Sequence, residues 1–206
     1  MTLPRSTDPV DSEIVELDRR AVTAAARLVA RVSSADLGRA TPCAGWTLDD
    51  LLAHMTAQHH GFAAAARGEG RDPAVWRPVP TDDPVGAHAA ATDAVLEAFA
   101  AEGVLTRSFD LPEFGPGARF PGARAVGFHL VDYVVHGWDV ARALALPDEV
   151  DAEVAAAALR VAEAVPDGPA RLEEGAAFRP GLPVTGEMGP LDRTLALLGR
   201  SPDWPG

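Results

Sequence analysis

Apolar residues recur at helical spacing over most of the chain. Ile14, Leu17, Ala21, Ala24, Ala25, Leu28 and Val29 form one face of a first helix that reaches about Val32. A lead over residues 1–9 reads as disordered. Asp36 to Gly45 is a connection containing most of the turn-rich TPCAGW. Thr47 with Asp50 three residues on has the form of a capping box and predicts a second helix to about Arg67. Gly68 to Pro84 holds four prolines and reads as a loop, followed by a third helix from about Val85 to Ala101. Glu102 to Gly122 alternates in places but breaks often at proline and glycine. It reads as a long loop or short hairpin able to lie over the mouth of a bundle. A fourth helix is predicted from about Ala123 to Ala145, broken by Pro147 and Asp148, and a fifth from about Glu149 to Val165. A Pro/Gly-rich tail then carries one short amphipathic piece, Leu191 to Leu198. The expected fold is all-α: a four-helix bundle with a fifth helix alongside, a long loop between helices 3 and 4, and an additional C-terminal helix. Residues 1–206 form one domain in this reading, with 166–206 as an extension packed on the bundle.

Within the fourth helix, HLVDYVVHGWD places His129, Asp132, His136 and Asp139 on one polar stripe. At about 100° per residue, Asp132 and His136 lie roughly 40° apart. Leu130, Val131, Val134 and Val135 flank them, so the stripe borders apolar surface, where polar groups need partners. Two readings fit the Asp132/His136 spacing. The pair can present oxygen and nitrogen to one metal ion, or an ordinary Asp–His hydrogen bond can fix a core histidine. His54, at the edge of the apolar face of TLDDLLAH, is a satisfied core histidine or the third ligand that such a pair needs. His129 reads as an alternative ligand, a supporting group, a general base or a structural partner of Asp132.

Composition narrows the chemistry. The net charge is −12 and all eighteen basic residues are arginine. An acidic, lysine-free chain excludes a nucleic-acid or anionic-membrane partner, a Schiff-base lysine and a P-loop lysine. Cys43 is the single cysteine, so neither an intrachain disulfide nor a cysteine-rich zinc site is available. No signal-peptide run or membrane span appears, and a cytoplasmic location is expected.

The remaining candidates read as structural. Cys43 fits a small buried apolar position better than a nucleophile, since no activating base is visible in sequence. Asp139 has either a role supporting the stripe or a surface ion pair with Arg142. His59 and His60 point away from His54 on an ideal helix and read as solvent or rim residues, and His88 as surface. Trp46 and Trp138 read as core anchors. Nucleophile-elbow, dinucleotide and phosphate-cradle motifs are absent.

Taken together, TPCAGWTLDDLLAH, DYVVHGWDVARAL and LDRTLALLGRSPDW resemble the DinB-like four-helix-bundle metalloenzymes. The similarity is greatest to the subgroup related to the N-terminal domain of mycothiol-dependent maleylpyruvate isomerase, and it extends from about Glu16 to Trp204. The resemblance implies one divalent metal, commonly zinc or nickel, held by His54, Asp132 and His136. It further implies a small-molecule substrate and a low-molecular-weight thiol such as mycothiol, used in S-transfer or isomerisation. His129 or His60 would relay protons. The middle ligand is aspartate where relatives often have histidine or glutamate, and the given sequence is expected to lack the full second domain of the isomerase, so the isomerase reaction is not expected to transfer intact. A metal-dependent hydrolase and a non-catalytic metal-binding or structural bundle are the competing expectations. Related bundles often form homodimers, though this chain carries no interface signature of its own.

Overall fold

A computed structural model describes residues 9–173 and 176–205, with side chains from Glu13 onward. The disordered lead expected over residues 1–9 lies outside the described residues except for Pro9, which opens the first helix. Helices α1 (Pro9–Val29), α2 (Leu48–Arg67), α3 (Pro84–Phe99) and α4 (Gly122–Ala143) are long, whereas α5 (Ala152–Ala162) and α6 (Pro190–Leu197) are short. Helix α1 packs along α4, α2 along α3, and α2 also meets α4, while α5 packs on α4 and α6 on α5. This is the all-α bundle with a C-terminal helix that the sequence predicts. No helix among the described residues is long and apolar enough to cross a membrane.

Local chemistry sets the boundaries. The Thr47 hydroxyl accepts the Asp50 amide, and the Asp50 carboxylate accepts the Thr47 amide, completing the capping box that starts α2. Gly68, at φ 86, ends that helix in the left-handed conformation that glycine adopts without a Cβ clash. Helix α5 starts later than its apolar pattern suggests because Asp151 caps it, accepting the amides of Glu153 and Val154. The connection between α3 and α4 is a hairpin, β1 (Ser108–Asp110) and β2 (Arg119–Pro121), with Phe109 opposite Phe120.

Helix α4 is the centre of the core. Leu130, Val134 and Trp138 pack with Leu17, Ala158 and Leu195 from α1, α5 and α6. Tyr133 and Val140 pack on the other side with Leu51, Leu52 and Met55 of α2 and Leu28 of α1. Near the hairpin, Ala125 and Val126 join Phe62, Trp76, Phe99 and Phe109. The segment after α5 is tied down by buried Arg171, which donates to the carbonyls of Pro166, Arg179 and Leu197.

A buried polar chain crosses all four long helices. His129 Nδ1 on α4 lies 2.7 Å from Asp18 Oδ1 on α1, and its Nε2 lies 3.1 Å from His59 Nδ1 on α2. His59 Nε2 is 3.1 Å from the Thr92 hydroxyl on α3, which in turn is 3.4 Å from His88 Nδ1. Burial holds His59 well below the ordinary histidine range, aided by its histidine neighbours, and lowers His88 to about 4. With both neutral, one proton order fits every link: His88 donates to Thr92, Thr92 to His59, His59 to His129 and His129 to Asp18, while His88 Nε2 and Asp18 Oδ2 at the two ends have no partner among the described residues. Two sequence expectations are thereby corrected. His59 and His88 are 0% and 1% exposed, not rim or surface residues, because α3 covers the side of α2 that a single-faced helical wheel assigns to solvent. His60 is exposed, as expected.

Two substitutions test this packing. A Cβ on Gly61 would run into the indole of Trp76, whose Nε1–H is fixed to the Gly70 carbonyl at 2.8 Å. Gly61→Ala should cost about 1–3 kcal/mol in urea denaturation. Asp18→Ala strands the His129 donor in the core and should cost about 1–3 kcal/mol in the same assay.

Candidate metal centre

His54, Asp132 and His136 converge from two helices. His54 lies two turns into α2, and the other two sit one turn apart on α4. One potential ligand atom from each lies within 4.8 Å of the other two. His136 Nε2 is 3.4 Å from Asp132 Oδ1, and the His54 and His136 rings meet edge-on at 5.1 Å. Asp132 Oδ2 is buried and has no hydrogen-bond partner among the described residues. A carboxylate oxygen left in this way is costly unless something cationic meets it.

The charges of the three side chains are coupled. Burial lowers His54 to about 4, assisted by the positive charge of His136. Its imidazole is therefore neutral near pH 7, the form that ligates metals. Burial disfavours the charged form of Asp132, but the neighbouring His136 outweighs it and takes the carboxyl to about 2. Burial likewise opposes charge on His136, yet Asp132, Asp139 and Cys43 together raise it well above the ordinary range. The pocket thus stabilises one positive charge beside Asp132, which a proton or a metal ion can supply.

The other nitrogen of His136 faces a different set of groups. Its Nδ1 is 2.9 Å from Asp139 Oδ2. Asp139 is fully buried and accepts from Arg200 Nε at 3.1 and 3.2 Å and from Nη2 at 3.0 Å. The Cys43 thiol donates to the same Oδ2 at 3.2 Å. An Nδ1–H donated to Asp139 leaves the Nε2 lone pair turned toward His54 and Asp132, the orientation a ligand histidine needs.

Several site-adjacent expectations change accordingly. Asp139 does not pair with Arg142, whose Nη2 donates instead to the Leu146 carbonyl at 2.8 Å. Cys43 is half-buried and packs against the α1/α2/α4 core as expected, but its thiol also meets Asp139 and Arg200. Trp138 is a core anchor, but Trp46 is 37% exposed, with its ring 5.0 Å from that of His54. It stands at the rim of an open cleft of about 320 Å³ together with Gly45, Asp50, Ala53 and Pro78. The cleft reaches His54 from outside.

His129 and His60 do not join this group. His129 is committed to Asp18 and His59, and exposed His60 belongs to neither metal-ligand cluster among the described residues. Two residues not singled out in the sequence lie close by. Gln58, one turn after His54, donates to Glu113 Oε1 at 2.8 Å and so ties the hairpin connection to α2. Burial raises the Glu113 carboxyl, and the charge of Asp132 adds to the rise. Only the expected position of the loop over the bundle mouth pointed toward Glu113. Arg200 sat in view in the LLGR piece, but its partner is 61 residues away and no local pattern connects them.

Residues 19–141 match the family model for the mycothiol maleylpyruvate isomerase N-terminal domain. An uncharacterized protein of Mycobacterium tuberculosis, matched in two strains, is 34% identical over 183 residues, covering 89% of this chain and 95% of the relative. The crystal structure of the mycothiol-dependent maleylpyruvate isomerase aligns with a TM-score of 0.53 at 18% identity. A histidine-to-alanine variant of that enzyme aligns with a TM-score of 0.58 at 16% identity. Each alignment covers 80% of this chain and 71% of the solved one, a likeness of fold. The family match takes in His54, Asp132 and His136 and stops short of Arg200. On that match, which spans more than half of its length, the chain belongs to the mycothiol maleylpyruvate isomerase N-terminal domain family.

Proposed function

We propose that the protein is a divalent-metal-dependent enzyme that activates a low-molecular-weight thiol of the mycothiol type for S-transfer to, or isomerisation of, a small electrophile. The observation that carries this reading is the buried Asp132 Oδ2, without a partner among the described residues, on a carboxylate grouped with the imidazoles of His54 and His136. His54, Asp132 and His136 fit a divalent ion, zinc or nickel by their nitrogen and oxygen donors. The ion supplies, when bound, a Lewis acid that lowers the pKa of a thiol or water ligand toward neutrality.

The protein's own groups define what such a site accepts. Asp132 contributes one negative charge and the two histidines none, so His54, Asp132 and His136 would balance only half the charge of a divalent ion, and the site would favour an anionic partner such as a thiolate. Asp139 holds the His136 ring through Nδ1, and Arg200 holds Asp139. Trp46 gives the open side of the cleft an apolar wall against which a small organic electrophile can lie. Gln58 and Glu113 hold the hairpin connection near Asp132, and the exposed Glu113 carboxyl can carry a proton to or from a bound substrate. His129 has no part in this reading, because both of its nitrogens are already engaged in the core.

Elemental mass spectrometry on untagged protein should find close to one zinc or nickel per chain, with His54→Ala and His136→Ala each losing most of it while keeping helical circular dichroism. Wild-type protein that carries no metal and fails to bind added zinc, nickel or cobalt would overturn the proposal. Turnover of electrophiles by the loaded protein should require added thiol. Thiol-independent hydrolysis would identify a metal-dependent hydrolase instead.

A further inference from the structure

His136 belongs to two donor groups at once. Besides His54 and Asp132 at its Nε2, it has Cys43 and Asp139 at its Nδ1, and in this second group too the potential ligand atoms all lie within 4.8 Å of one another. The second group is half-buried at Cys43 and buried at both other positions. A thiol, an imidazole and a carboxylate at such spacing form a donor set that zinc and cobalt favour. What distinguishes it from the first group is a cation already present. Arg200 places Nη2 3.0 Å from Asp139 Oδ2 and 3.4 Å from Cys43 Sγ. Among the described residues no guanidinium forms a salt bridge to the first group, within which Asp132 pairs with His136 and keeps an oxygen without a partner.

We propose that Cys43, Asp139 and His136 form a latent divalent-metal site whose cation position is filled by the Arg200 guanidinium. The charges balance in either state. With arginine present, the Asp139 carboxylate neutralises the guanidinium while Cys43 remains a thiol that donates to Asp139. With a divalent ion in its place, the Cys43 thiol gives its proton to solvent, and thiolate plus carboxylate neutralise the two positive charges. Metal and guanidinium therefore exclude each other by electrostatic repulsion and by competition for the same Asp139 oxygens. Arg200 comes from the segment just after α6, so the C-terminal extension determines which nitrogen of His136 is open to an ion. The consequence that Arg200 thereby directs metal to His54, Asp132 and His136 rests on the proposed function; the latent site itself does not.

Cobalt(II) reports on this directly, because thiolate ligation gives a strong near-ultraviolet charge-transfer absorption that nitrogen and oxygen ligands lack. Chelator-stripped wild type titrated with cobalt should show no thiolate absorption. Arg200→Met and Arg200→Gln should each develop it as cobalt is added, and adding Cys43→Ser to either should abolish it. The glutamine variant retains a hydrogen-bond donor for Asp139 and guards against loss of fold, which circular dichroism checks. In wild type, saturating zinc should leave the alkylation rate of Cys43 unchanged within about twofold, whereas thiolate ligation would suppress it by an order of magnitude or more. Thiolate absorption or zinc protection of Cys43 in wild type, or a folded Arg200→Gln variant without the absorption at saturating cobalt, overturns the proposal. Wild type that binds no cobalt at all counts against the proposed function, while the two variants still decide the role of Arg200.

Discussion

Helix α4 is buried on nearly every side and still carries Asp132, His129, His136 and Asp139, and most of the structure follows from finding partners for them. A polar side chain in such a helix is tolerated only when its lone pairs and protons are met. His129 is met by α1 and α2, and Asp139 by the segment after α6. Asp132 keeps an oxygen with no partner among the described residues, and it does so beside two imidazoles. The candidate centre is therefore a place on α4 where a buried carboxylate is left incompletely satisfied by the protein's own groups.

Electrostatics separates the two nitrogens of His136. On the Nδ1 side the negative charge of Asp139 is spent on Arg200, so no net charge remains to attract an ion. On the Nε2 side the charge of Asp132 faces a neutral His54. A single imidazole thus joins a closed cluster, neutralised by Arg200, to an open one in which Asp132 draws its balancing positive charge from a proton or a metal ion. The closed cluster fixes the ring, and the open one is left for a ligand, which is how an outer carboxylate supports a metal-bound histidine.

Much of this was legible in sequence because it is local. Helical periodicity located all six helices, the Thr47–Asp50 spacing located the start of α2, and the Asp132–His136 spacing is a property of one helix. Contacts made across the fold were not legible. That α3 covers the back of α2, burying His59 and His88, depends on how two helices pack, and periodicity on one of them does not carry it. Asp139 had a plausible local partner in Arg142, three residues away, and took a remote one because burial on α4 favours a guanidinium that arrives with the C-terminal segment. Trp46 looked like an anchor because it is large and apolar, but it occupies the turn ahead of α2, at the rim and not in the core.

Tyr133 explains why one helix can hold two polar systems without merging them. It follows Asp132 directly in sequence and lies one turn from both His129 and His136. Its ring stacks on His59 at 3.9 Å and contacts His129 at 4.4 Å, while its hydroxyl donates to the carbonyl of Met55, the residue after His54. Burial raises the phenol well above its usual range, with the charges of Asp132 and Asp18 adding to the effect, so it remains a neutral donor. Neither nitrogen of His129 needs a partner from the metal side, and the hydroxyl of Tyr133 is occupied by backbone. The Asp18–His129–His59 chain is thereby walled off by an aromatic ring bonded to the same turn of α2 that presents His54. A stripe that looks continuous on the helical wheel is divided into a structural half and a half available for chemistry.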